Sequence, residues 1–305
     1  MSAEAIDCLI VGGGPAGLTA AIYAARFCLT VRVIDAGESR AASIPCTHNH
    51  AGFPDGISGR GLLQRMRAQA TKFGARIDQG AVTQISIGEA GFVADWTAGT
   101  LRARTILLAT GVTNRPPPMA DDLHRAALAA GRLRYCPVCD GYEVIGQDVA
   151  VIGIGEHGVR EAKFLRAYTD KVTLIAPAGP HQLSDEDHSA LIEANIVLVD
   201  GPAEDFALAD SGLSFSCAQG RLTFDAVYPA LGSDVHSDLG KALGAAVTSE
   251  DCIKVDPHQR TSVPGLYAAG DVVIGLDQIS HAMGEAGVAA TTIRNDLAAS
   301  RPLYR

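Results

Sequence analysis

The sequence predicts an α/β protein built from two domains. Three observations carry that prediction. The chain has 305 residues, more than most single domains contain. Hydrophobic residues make up 47% of it but aromatic ones only 5%, so its cores are aliphatic. Two glycine-rich turns, starting at Gly12 and Gly153, each lie between an apolar run and a helical pattern, roughly 140 residues apart.

The first element is AIDCLIV, an apolar run that reads as a buried strand. It turns on GGGPAG and continues as the helix GLTAAIYAARF. Arg26 breaks that stretch well short of bilayer length, so no membrane span is expected. TVRVIDAGES supplies the next strand, ending near Asp35. A helix is predicted over 58–73, with Ser58 as cap, Leu62, Met66 and Phe73 near one face, and Gly74 as the stop. Alternating runs at 82–87 and 91–96 predict a β-meander, and ARTILLATGV is another buried strand.

TNRPPPM then ends regular structure. Three consecutive prolines remove backbone donors and fix φ, which makes a stiff connection and a domain boundary. Beyond it come Cys136 and Cys139, a second strand–turn–helix (DVAVIGIGEHGVREAKFLRAY) and the strand KVTLI. SDEDHSALIEAN predicts a helix capped by Ser184, with acids in its first turn and Asn195 at its end. The pattern loosens near LGSDVHSDL, and a last helix is predicted over about 284–299.

The net charge of −9 repels polyanions, so neither nucleic acid nor an acidic membrane surface is an expected partner. No basic leader precedes the first strand, and the seven cysteines have no framework spacing. A reducing, cytoplasmic setting is expected.

Gly12-x-Gly14-x-x-Gly17, with Pro15 and Ala16 inside it, lies between strand and helix, and Asp35 ends the next strand 23 residues after Gly12. Glycines there let the backbone approach a pyrophosphate, the helix N-terminus favours its charge, and Asp35 can accept from a ribose. The spacing does not decide between flavin and nicotinamide. Cys136 and Cys139 leave three chemistries open: a zinc half-site, a buried reduced pair, or a dithiol/disulfide. Structural zinc takes four ligands and no second CxxC exists, although Cys46, His48 and His50 alternate along one segment. No metal site is predicted. The redox reading has a mechanism: a thiolate is a nucleophile, and the adjacent Asp140 can shuttle a proton.

In order along nearly the whole chain, the sequence resembles the low-molecular-weight thioredoxin reductases and their relatives, which are FAD-dependent pyridine nucleotide–disulfide oxidoreductases. VGGGPAGLTAAIYAAR resembles their FAD-binding start, GFPDGISG their flavin-side loop, and ILLATGV the strand leaving the FAD domain. CPVCDG is similar to the active-site disulfide, and SVPGLYAAGDV to the segment whose aspartate, here Asp271, holds the ribityl chain. The resemblance implies two Rossmann-like three-layer (ββα) dinucleotide-binding domains. A discontinuous FAD domain would span 1–116 and 238–305, and an NAD(P)-binding-like domain carrying the redox pair 117–237. It implies a homodimer, with Cys139 facing the flavin, Cys136 attacking a substrate disulfide and Asp140 as acid–base. The substrate would be thioredoxin or a small-molecule dithiol/disulfide. The implied cofactor contacts are Gly12, Gly14, Pro15, Ala16, Gly17, Asp35, His50, Thr110, Gly111, Gly270, Asp271, Gln278 and Ile279.

Two stretches depart from the family pattern. Gly153, Gly155 and Gly158 form a second phosphate turn, but the loop after the next strand reads APAGP, with no charge for a ribose hydroxyl or a 2′-phosphate. The basic cluster of the family's NADPH users is missing, so NADPH and NADH are both in question as donors. Arg160, Lys163 or His181 could supply the charge from elsewhere. Relatives without pyridine nucleotides take electrons from ferredoxin or another flavin, or run in reverse as dithiol oxidases using oxygen. In the second departure, LDQISHAMGEAG stands where the family has an Arg-Gln-Ala run, which makes His281 a candidate for moving protons near the flavin.

Overall fold

A computed structural model describes residues 5–89, 91–300 and 302–303. It divides into two compact units: Met1–Ala42, Ser58–Thr113 and Val235–Arg305 form the first, Ser43–Ile57 and Asn114–Asp234 the second. The segment 43–57, expected with the first domain, clusters with the second unit.

In the first unit, strands run in the order Arg76–Gln79, Val31–Asp35, Ile6–Val11, Gly99–Leu108, Gly91–Trp96, Val82–Gly88. Leu266–Ala268 joins as a further parallel partner of Gly99–Leu108. Ile6–Val11 pairs in parallel on both sides, and Leu9 and Ile10 are fully buried. Burial on two faces is why this strand reads as a continuous apolar run. The last three strands of the order pair antiparallel, and they are the meander expected from alternation at 82–87 and 91–96.

Helix Gly59–Lys72 starts where the cap predicts: Ser58 Oγ accepts from Gly61 N at 3.1 Å. The final helix, Ile279–Ser300, begins ahead of the expected residue 284. Gly284 looked like a boundary, yet a mid-helix glycine costs only about 1 kcal/mol. Burying Ala282, Ala286, Ala289, Ala290 and Ile293 in the core shared with helix Pro15–Arg26 outweighs it.

The second unit has a parallel sheet in the order Val197–Val199, Val172–Ile175, Val149–Gly153, Ala226–Ala230. Helix Gly155–Leu165 packs on it through Val159, Ala162 and Leu165. A separate antiparallel sheet of Glu204–Ala209, Gly212–Cys217 and Gly220–Phe224 covers Phe215 and Leu213. Each unit is thus a dinucleotide-binding-type α/β layer with an antiparallel layer added. Among the described residues, no helix is long and apolar enough to cross a membrane.

Candidate active site

Cys136 and Cys139 are joined in a disulfide, with their Cα atoms 5.2 Å apart. Both lie on the short turn Pro137–Asp140, which Cys136 caps. Cys139 N donates to Cys136 Sγ at 3.1 Å and to Cys136 O at 2.9 Å. Asp140 follows on the same turn. Its Oδ2 accepts from Arg134 Nη1 at 2.8 Å and its Oδ1 from the Tyr228 hydroxyl at 2.8 Å. Burial raises the Asp140 carboxyl above the usual range, and Arg134 opposes the shift. The carboxyl is therefore fixed in position and able to hold a proton at a higher pH than a surface aspartate.

The zinc alternative meets a different donor set. The two sulfurs are bonded to each other, and no group of three or more His, Cys, Asp or Glu among the described residues has metal-holding geometry. Cys46 and His48 lie together in the 43–57 segment. His50, in the same segment, stacks on Phe53 with ring centroids 5.6 Å apart. It belongs to the second unit.

That first turn is shaped for a close approach. A Cβ on Gly12, whose φ is +110°, would lie 2.2 Å from Ala109 O, and one on Gly17 would lie 1.9 Å from Gly12 O. Gly14 precedes the helix, whose N-terminus has no side-chain cap, and Pro15 and Ala16 open its first turn. Asp35 is buried at the end of its strand; Oδ1 accepts from Gly37 N at 3.0 Å, and Oδ2 is held by Arg67. Thr110 Oγ1 donates to His236 O at 2.6 Å, and Gly111 follows with positive φ.

Asp271 lies in the same unit, after strand Leu266–Ala268 and Gly270. Burial pushes its carboxyl up to about 6, with Arg40 Nη1 at 3.4 Å opposing the shift. Arg40 also bonds Asp277 at 2.8 Å. Gln278 O accepts from Ala282 N as helix Ile279–Ser300 begins. His281 Nε2 lies 3.0 Å from Glu285 Oε1, while Glu285 Oε2 accepts from Gly270 N at 2.8 Å. A bare glycine cradle, an uncapped helix start and a partly buried carboxyl facing Arg40 fit a flavin dinucleotide.

The second turn is equally tight. A Cβ on Gly153 would come within 3.0 Å of Gly158 Cα, and Gly155 has a φ of +56°. Beyond strand Val172–Ile175 the chain closes on itself: Gly201 N donates to Gly179 O at 2.7 Å and Ala203 N to Pro177 O at 3.2 Å. His181 Nε2 lies 3.1 Å from Leu174 O, and Arg160 lies 3.1 Å from His157 Nδ1. His181 and Arg160 thus each have one local contact.

Sequence reasoning missed Arg134, Tyr228, Arg40, Arg67 and Glu285. Only Glu285 had a readable signal, its four-residue spacing from His281 on one helix.

A family model described as pyridine nucleotide-disulphide oxidoreductase matches residues 6–286. The thioredoxin reductase of Streptomyces coelicolor (strain ATCC BAA-471 / A3(2) / M145) is 33% identical over 283 residues, covering 87% of this chain and 85% of that protein. The solved thioredoxin reductase of Streptococcus pyogenes MGAS5005 superposes with a TM-score of 0.88 at 28% identity, over 96% of this chain and 98% of that one. That of Giardia duodenalis gives 0.85 at 26% identity, over 97% and 100%. With its paired sulfurs, its two glycine turns and this match over most of its length, the chain belongs to the pyridine nucleotide-disulphide oxidoreductase family and is a disulfide oxidoreductase of the thioredoxin reductase-like kind.

Proposed function

We propose that this chain is an FAD-dependent thiol–disulfide oxidoreductase whose Cys136–Cys139 pair exchanges electrons with thioredoxin or a small-molecule dithiol/disulfide. The observation that carries this reading is the formed disulfide, with a half-buried Asp140 beside it whose carboxyl burial raises above the usual range. FAD, when bound, supplies a two-electron exchange with the disulfide. Gly12, Gly14, Pro15, Ala16 and Gly17 would approach its pyrophosphate, Asp35 its ribose and Asp271 its ribityl hydroxyls. Thr110, Gly111, Gly270, Gln278 and Ile279 would line the remainder, and His281, held by Glu285, would move protons nearby.

The hydrogen bond that Cys139 N donates to Cys136 Sγ in the disulfide would, if kept after reduction, favour negative charge on that sulfur, which supports Cys136 as the attacking sulfur. Its attack on a substrate disulfide forms a mixed disulfide and releases one thiolate. Cys139 then displaces the second substrate sulfur and restores the intramolecular bond. Two thiols leave, and Asp140 hands a proton to a leaving sulfur. Arg134 and Tyr228 hold the Asp140 carboxyl for that transfer.

The donor is the open half. The closed, uncharged loop after Ile175 offers no charge-assisted bond to a 2′-phosphate, each worth about 1.5–3 kcal/mol. That observation favours a second reading, a dithiol oxidase using oxygen, or a reductase fed by ferredoxin or another flavin. An anaerobic titration separates them: NADPH, NADH and then a dithiol are added to the flavin-loaded protein and the flavin absorbance is followed. Bleaching by a dithiol but not by NADPH or NADH at micromolar levels supports the second reading. Bleaching by NADPH at those levels restores ordinary reductase chemistry. A protein that binds no flavin refutes both.

A further inference from the structure

The 43–57 segment brings Cys46 and His48 together with Glu143, which also lies close enough to Asp140 to raise its carboxyl. Thr47 and Ile57 exchange both backbone hydrogen bonds, at 2.9 and 3.1 Å, and close the segment as a hairpin. Cys46 and His48 flank Thr47, so on extended backbone they share a face. Cys46 Sγ lies 3.5 Å from His48 Nε2. The other ring nitrogen, Nδ1, lies 2.9 Å from Glu143 Oε1, in the same unit. Glu143 Oε2 is buried without a hydrogen-bond partner. Gly56 makes room for the pair: a Cβ there would lie 2.5 Å from Cys46 Sγ and 2.6 Å from His48 Cδ2.

Thiol, imidazole and carboxylate thus stand in the order nucleophile, base, orienting group. The sulfur is exposed and the ring is half-exposed. We propose that Cys46, His48 and Glu143 form a second nucleophilic site, which attacks low-molecular-weight disulfides and carries a mixed disulfide at Cys46. His48 Nε2 takes the thiol proton, and Sγ attacks one sulfur of the disulfide. The external S–S bond breaks as the Cys46–S bond forms. The leaving thiolate recovers the proton from His48. One disulfide is exchanged for another, so no oxidant or reductant is consumed.

The test uses the oxidised full-length protein, in which Cys136 and Cys139 are already bonded. It is mixed with 2,2′-dithiodipyridine, thiopyridone release is followed, and the labelled sites are mapped by mass spectrometry. Cys28 is a second exposed cysteine outside a disulfide, and its Sγ lies 3.9 Å from Arg26 O. Cys46 is expected to react about tenfold or more faster than Cys28, and Cys46→Ser to remove the fast phase. His48→Asn is expected to slow it by about tenfold or more, the low end of what a positioned base supplies. Equal labelling of Cys46 and Cys28 in the unaltered protein overturns the proposal, and that comparison needs no variant to fold. An unchanged fast phase in a His48→Asn protein of native circular dichroism overturns it as well.

Discussion

Replacing Asp271 with Asn separates what this side chain does for the fold from what it does for a ligand. The folded carboxyl is pushed up to about 6 from an ordinary value of 3.8, chiefly by burial. The difference is about 2 units, and at about 1.4 kcal/mol per unit the ionised form costs the empty protein about 3 kcal/mol. The folded value is the higher one, so the stability held by the neutral form is complete below 3.8 and lost as pH rises to about 6. Asn keeps the shape and removes the charge, and Arg40 retains Asp277. The flavin-free variant should therefore match the parent near pH 4, gain on it through about pH 6, and stay about 3 kcal/mol ahead at pH 8. Urea unfolding watched by tryptophan fluorescence reads this cleanly, because Trp96 is the only tryptophan in the chain and lies in the first unit. With a urea slope of about 2 kcal/mol per molar, the midpoint should rise by roughly 1.5 M at pH 8. Flavin affinity should fall about 10- to 100-fold, the worth of one charge-assisted hydrogen bond. A variant less stable than the parent at pH 8, or a gap that does not change between pH 4 and 7, refutes the burial argument. Unchanged flavin affinity removes Asp271 from the cofactor site.

Three further outcomes follow from the same structure. Cys136→Ser should abolish turnover with disulfide substrates while leaving flavin content intact, whereas Cys139→Ser should trap a mixed disulfide on Cys136, visible as an added mass on non-reducing analysis. Asp140→Asn should leave the disulfide formed but slow exchange about 100-fold; its pH–rate profile should lose a limb that lies above the ordinary carboxylate range in the parent, because burial raises Asp140. Burial pushes Glu161 up to about 7 from 4.5, so Glu161→Gln should stabilise the second unit at pH 8 relative to pH 4 by about 3 kcal/mol, and a pH-independent effect in thermal melts would remove that assignment.

What the sequence disclosed was what short-range sterics decide. Gly12 and Gly17 are legible because a Cβ at either would strike backbone a few residues away or on the adjacent strand. Ser58 and Ser184 are legible because a cap needs only the next turn. The antiparallel sheet over 204–224 was not, because its strands mix buried and exposed positions without strict alternation. The chemistry of the carboxyl groups was not legible either. Asp140 could be named from its place after Cys139, but its raised proton affinity comes from burial and from partners the fold brings up. Arg134 lies six residues away, yet Tyr228 arrives from a strand 88 residues downstream because Ala226–Ala230 pairs with Val149–Gly153.

Asp271 repeats the pattern with Arg40, and so does His48 with Glu143. In each case a motif marks the position of a titratable group, while its partner comes from a segment that shares no local pattern with it. This explains why the donor question stayed open at the sequence level. The absence of charge in APAGP is a local fact, but a basic group from elsewhere could have offset it. His181 lies 3.1 Å from Leu174 O and Arg160 3.1 Å from His157 Nδ1, and the exposed Arg160 keeps its charge. On the proposed reading, a charge introduced into the loop after Ile175, such as Ala178→Arg, should strengthen NADPH binding, read as flavin bleaching at lower NADPH in the anaerobic titration; unchanged bleaching would count against that loop as the determinant.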